Sequence, residues 1–96
     1  MAKVAVSRRA VDDLARLIQT HSLPRATRER VRNSIEPLAE FPLLGPPLSG
    51  RWEGMRFILG PWRWMLIVYR YDEGAGEVIV LTIVDARSSR APRSET

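Results

Sequence analysis

A chain of 96 residues with 45% apolar side chains is expected to fold as one domain with a small core, since chains of this length bury only about 60–65% of their unfolded surface. It contains no cysteine and a single histidine, which excludes a disulfide framework and leaves too few ligands for a structural zinc site. The formal charge is +4 and every basic residue except Lys3 is arginine, a composition suited to a phosphate-rich or acidic partner and equally produced by an arginine-biased genome.

The lack of thiols and of an apolar leader points to a reducing compartment, and the longest apolar run, Trp64 to Tyr69, is too short to span a bilayer. The expectation is a cytoplasmic protein without membrane contact. Gly45 to Gly50 fits neither a P-loop nor a dinucleotide fingerprint, so no cofactor is expected. No metal is expected either.

Ala2 to Val6 reads as a short strand. Ser7 suits a helix N-cap, and Val11, Leu14, Ala15 and Ile18 follow at i, i+3, i+4 and i+7, the spacing of one buried helical face. Arg8, Arg9, Asp12, Asp13 and Arg16 fall on the outer side, and the helix should close near His21, a residue favourable at a helix C-terminus. Ser22-Leu23-Pro24 makes a turn and primes a second helix with Val31, Ile35 and Leu38 as its stripe. Pro37 should stop or kink it near Glu36.

Phe41 to Gly50, with three prolines and two glycines, reads as a loop. Met55 to Leu59 is then a strand. Gly60-Pro61 is a turn, and Trp62-Arg63 opens a second strand that runs to Tyr71. Asp72 to Gly76 is a hairpin turn. Glu77 to Val84 is apolar at every position from Val78 but Thr82, the mark of a central strand covered on both faces. The domain is expected to end at residue 90, leaving residues 91–96 as a polar, disordered tail.

The fold class is therefore α+β, in the order β-α-α-β-β-β. This order and its motifs resemble the RelE/ParE superfamily of toxins from type II toxin–antitoxin pairs. Ser7, Ala10, Asp13 and Leu14 resemble the first helix of that family. Pro42 to Gly50 is similar to its P-x-x-G-x-x-L-x-G linker, and Arg56 to Arg63 is similar to its R-x-x-x-G-x-Y-R hairpin, with Trp62 in place of tyrosine. Val84-Asp85-Ala86-Arg87 stands where the family ends its last strand with a basic residue. The resemblance implies a two-helix hairpin packed on a mainly antiparallel four-stranded sheet.

It also implies one of two activities. RelE-like members cut mRNA on the ribosome, and ParE-like members poison DNA gyrase without catalysis of their own. RNA carries its own nucleophile, the 2′-OH, so an arginine clamp of Arg56, Arg63 and Arg87 can be assigned a catalytic role in stabilising phosphorane charge. Arg51, Trp52, Trp62, Arg70 and Arg90 are the expected target-binding residues, the indoles as base stackers or as half-buried packing. Arg56 has a plainer reading as a strand arginine paired with Glu53 or Glu77. A proton carrier is missing: Tyr69 and Tyr71 lie in an apolar strand, and Asp85, where the family often has histidine, is awkward beside a phosphate. That gap favours the gyrase reading over the ribonuclease, with an inactive binding module of the same fold as a third possibility. The implied partners are a cognate antitoxin, folding an acidic amphipathic segment onto the toxin, and either gyrase or the ribosome with its mRNA. A homodimer or a toxin–antitoxin hetero-oligomer is compatible with either.

Overall fold

In the computed structural model, which describes residues 1–88, 91 and 92, the chain forms β1 (Lys3–Val6), α1 (Arg8–Thr20), α2 (Thr27–Ile35), β2 (Arg56–Leu59), β3 (Met65–Asp72) and β4 (Glu77–Asp85). Single 3-10 turns occupy Glu36–Ala39 and Gly50–Trp52. The sheet order is β1-β4-β3-β2, with β1 parallel to β4 and the other pairs antiparallel. This is the α+β arrangement expected from the sequence.

Ser7 caps α1 as expected. Its hydroxyl oxygen accepts the Ala10 N–H at 3.1 Å while its O–H donates to the Leu81 carbonyl at 3.0 Å, so one side chain starts the helix and ties it to β4. The buried stripe of α1 differs from the periodicity reading. It runs through Ala10 and Leu14, with Leu17 and Ile18 packed against the core, whereas Val11 is half exposed. The stripe is rotated by about one position because Ala10, the smallest apolar residue, lets the helix approach β4 closely. Asp13 also departs from the outer side expected for it: its carboxylate accepts from Thr82 Oγ1 and the Ile83 N–H.

The second helix begins at Thr27, whose N–H and hydroxyl both donate to the Pro24 carbonyl. It ends at Ile35, and Pro37 converts the next turn into the 3-10 segment, as a missing N–H requires. Ala10, Leu14, Val31, Ile35 and Leu38 pack onto Met65, Ile67, Tyr69, Val78, Val80 and Ile83 of the sheet.

The β2–β3 connection is wider than expected. Leu59 pairs with Leu66 and β3 starts at Met65, so Trp62, Arg63 and Trp64 lie in the turn and do not open a strand. Pro61 has no N–H to offer a ladder; the turn closes instead through Gly60 N–H to Met65 O and Met65 N–H to Trp62 O. In β4, Thr82 pairs with Val68 but Val80 with Tyr69, leaving Leu81 as a bulge. A bulge exchanges the faces of all residues beyond it. Ile83 and Asp85 thereby join the helix-facing side, opposite Ile67 and Met65.

Candidate functional site

The three arginines expected to form a clamp stand at different places. Arg56 opens β2 and pairs in register with Tyr69. Its Nη1 donates to the carbonyl oxygens of Gly45 at 2.8 Å and Leu43 at 3.5 Å, and the Tyr69 hydroxyl accepts the Gly45 N–H at 2.9 Å. Together they fasten the loop after the 3-10 turn against β2, whose outer edge is also met by Pro46 O and Leu48 N–H. Arg56 thus pairs with backbone carbonyls, not with Glu53 or Glu77. Tyr69 is fully buried. Burial raises its pKa, against the lesser lowering effects of the Gly45 hydrogen bond and the Arg56 charge, so the phenol stays neutral at physiological pH and serves as a loop anchor.

Arg63 and Arg87 belong to the opposite end of the sheet. Arg63 is exposed in the β2–β3 turn and makes no hydrogen bond or ion pair with the other described residues. Arg87 follows β4 and closes on Asp85: Nε donates to Oδ1 at 2.9 Å and Nη2 to Oδ2 at 2.8 Å, with the Arg87 N–H also on Oδ1. Such a two-point pair consumes the geometry by which a guanidinium grips a phosphate.

Around this pair lies a cluster that sequence spacing does not reveal. His21, the C-cap of α1, brings Nε2 to 3.5 Å from Asp85 Oδ2 and its ring centroid to 4.5 Å from that of Trp64. Trp64 stacks on Trp62 at 6.1 Å, with Arg87 over Trp64 and Arg30 over Trp62 at 5.3 and 5.5 Å. Both indoles are half buried against the core, and each cation–ring contact contributes about 0.5–1 kcal/mol at such exposure. His21 and Asp85 are far apart in the chain; only the packing of α1 on β4 and the Leu81 bulge bring them together. The visible sequence signal was Asp85 itself, an acid where the family pattern often has histidine.

The remaining expected residues are dispersed. Arg51 covers the Trp52 ring at 5.9 Å. Both line an open groove of about 610 Å³ whose other wall is α1, with Arg9, Asp13 and Arg16, and whose floor is the end of β4. Arg9 and Arg16 flank Asp13 at 4.0 and 3.8 Å. Arg70 is exposed on β3 opposite Ile79, near the hairpin and away from the Trp62–Trp64 stack. Arg90 lies outside the described residues, as does most of the expected tail. Among the described residues no cluster of metal-binding side chains occurs, and no helix is long and apolar enough to cross a membrane.

The Asp85 pKa is held below the usual carboxylate range, first by the Arg87 side-chain hydrogen bonds, with burial opposing and the Arg87 N–H and the charges of Arg87 and His21 adding to the lowering. A carboxylate with a depressed folded-state pKa stabilises the fold above its unfolded value, about 4, and loses that contribution as pH falls through the folded value. Asp85→Asn is therefore expected to lower Tm near neutral pH, with the gap to wild type closing on acidification below about pH 4. A gap that is absent near neutral pH, or that widens in acid, contradicts this role.

The sequence matches the model of the ParE toxin of type II toxin–antitoxin systems over residues 4–89. No curated protein sequence matches the chain. Among solved structures, the chromosomal ParDE toxin–antitoxin system of P. aeruginosa is similar with a TM-score of 0.69 and 15% identity, over 91% of this chain and 98% of that one. The RelBE2 toxin–antitoxin complex of Mycobacterium tuberculosis gives a TM-score of 0.64 at 24% identity, over 88% and 96%. The isolated E. coli RelE toxin gives 0.64 at 16% identity, over 94% and 89%. At these identities the structural likeness establishes the shared two-helix, four-stranded fold.

Proposed function

Because this chain belongs to the ParE toxin family of type II toxin–antitoxin systems, we propose that it arrests growth as a ParE-like toxin, by binding DNA gyrase and not by cutting RNA. The observation that supports this reading is the dispersal of the arginines. Arg56 spends its guanidinium on the Gly45 carbonyl, Arg87 is held two-point by Asp85, and Arg63 is left without a neighbouring cation in contact. Phosphoryl-transfer chemistry needs preorganised charge converging on one phosphate, whereas a poison needs only a complementary surface. Tyr69, neutral and buried, is no proton carrier.

The ribonuclease alternative has one observation in its favour. The His21–Asp85 pair, 3.5 Å apart beside Trp64, has the form of an oriented acid–base group. It counts less because Arg87 engages both oxygens of the same carboxylate.

A cognate antitoxin neutralises the toxin in this reading. The surface that suits it is a mainly apolar groove of about 600 Å³ between β1, α1 and α2, with Val6 and Val11 open to solvent and Arg28 and Arg32 on its rim. An amphipathic segment would bury its apolar side there and set carboxylates against the two arginines. Gyrase is intracellular, so the toxin is assigned to the cytoplasm. Induced expression in bacteria should give filamentation, a DNA-damage response and impaired supercoiling, with transcripts intact. Rapid loss of translation with cut transcripts would favour the ribonuclease, and normal growth with soluble toxin would favour an inactive module.

A further inference from the structure

The loop from Phe41 to Gly50 contains no charged residue, although the chain as a whole is strongly basic. Three of its large apolar side chains face solvent: Phe41 is 57%, Leu43 59% and Leu44 56% exposed. Scattered apolar residues at a surface need no explanation, but three within four positions form a patch that does.

The loop is also rigidly mounted. Phe41 N–H donates to Pro37 O and Leu44 N–H to Phe41 O. Arg56 Nη1 reaches the carbonyls of both Leu43 and Gly45, and Tyr69 holds the Gly45 N–H from inside the core. Pro42, Pro46 and Pro47 restrict the chain further. A buried tyrosine and a strand arginine are thus committed to displaying a short apolar knob, which stabilises a binding-ready conformation before any partner arrives.

Resting on the gyrase reading above, we propose that Phe41, Leu43 and Leu44 form a preformed wedge that enters an apolar pocket on the gyrase protein, and that this contact supplies much of the toxin's affinity for its target. The partner's chemistry follows from the loop's own. Binding to DNA draws on arginine and lysine against phosphates, and the wedge has neither. Residues 89–96 carry no large apolar side chain, so the chain's own end is not its cover. A second copy would bring a like net charge of +4 against the first. The apolar groove between β1, α1 and α2 is a receiving surface for the antitoxin and is distinct from this projecting one.

The test compares full-length wild type with Leu43→Ser/Leu44→Ser. Binding to purified gyrase, binding to the purified cognate antitoxin, binding to vesicles of zwitterionic and anionic lipid, and Tm are measured for both. The wedge predicts gyrase binding weaker by about tenfold or more, as expected when anchor side chains are lost, with antitoxin affinity and Tm unchanged. Equal gyrase binding by the two proteins overturns the wedge while leaving the gyrase reading intact. A loss confined to antitoxin or vesicle binding overturns it by assigning the loop to those partners. If wild type itself does not bind gyrase, the gyrase reading fails, and the wedge as stated fails with it.

Discussion

Gly45→Ala is expected to destabilise the fold by about 3 kcal/mol, at the upper end of what overpacking costs. A Cβ placed on Gly45 falls 2.0 Å from the Phe57 carbonyl oxygen and 2.8 Å from its carbon, with the Tyr69 ring at 3.1 Å. Two of these atoms belong to the backbone of β2, which is itself paired to β3, so no side-chain rotation relieves the clash. The loop must lift away, and lifting breaks the hydrogen bonds from Tyr69 and Arg56 together. By the usual scaling for a domain of this size, Tm should fall by about 12–24 °C. Tyr69→Phe isolates one part of the effect. It leaves the Gly45 N–H without its acceptor and should cost about 1–2 kcal/mol. Thermal and urea unfolding of both variants provide the check. A loss under about 1 kcal/mol for Gly45→Ala would mean that the loop detaches freely and is not mounted as described.

Asp13→Ala is expected to cost about 2–3 kcal/mol, far more than a surface substitution on a helix. Asp13 Oδ2 accepts the Thr82 hydroxyl at 2.5 Å and the Ile83 N–H at 3.3 Å. Both donors sit where β1 has already ended, so β4 has no neighbouring strand on that side to take the Ile83 N–H. Charged acceptors make stronger bonds than neutral ones, and removal leaves buried donors without partners, since Thr82 is only 3% exposed. Asp13→Asn retains an acceptor oxygen and should lose about half as much. Urea unfolding of the two variants beside Arg9→Ala separates the hydrogen bonds from the loose ion pairs of Asp13. If Asp13→Ala and Arg9→Ala are equally mild, the carboxylate is not holding the end of β4.

The element order was legible in the chain because periodicity and punctuation act locally. Ser7 capped, Pro37 stopped the α-helix, and the apolar run from Val78 became an interior strand. Two things were not local. The stripe of α1 depended on how closely Ala10 allows the helix to approach β4, which spacing alone does not encode. The helix-facing position of Asp85 depended on the Leu81 bulge, and strand alternation without the bulge puts Asp85 on the other face. His21 and Asp85 consequently read as unrelated residues. Arg56 and Arg63 were visible as a pair across a turn, but the turn widened around Pro61 and left one at each end of β2. A residue's type predicted its chemistry; whether its partner would be a phosphate or the Gly45 carbonyl was decided by the fold.

The account's central claim is that this toxin acts by binding gyrase and carries out no RNA cleavage. It is tested most directly with one preparation of purified toxin divided between a gyrase supercoiling reaction and translating ribosomes loaded with a defined mRNA, each with and without antitoxin. The account predicts that supercoiling is inhibited, that antitoxin restores it, and that the mRNA remains uncut. Cut mRNA with supercoiling untouched would contradict it and would make His21, Asp85 and Arg87 the residues to examine first.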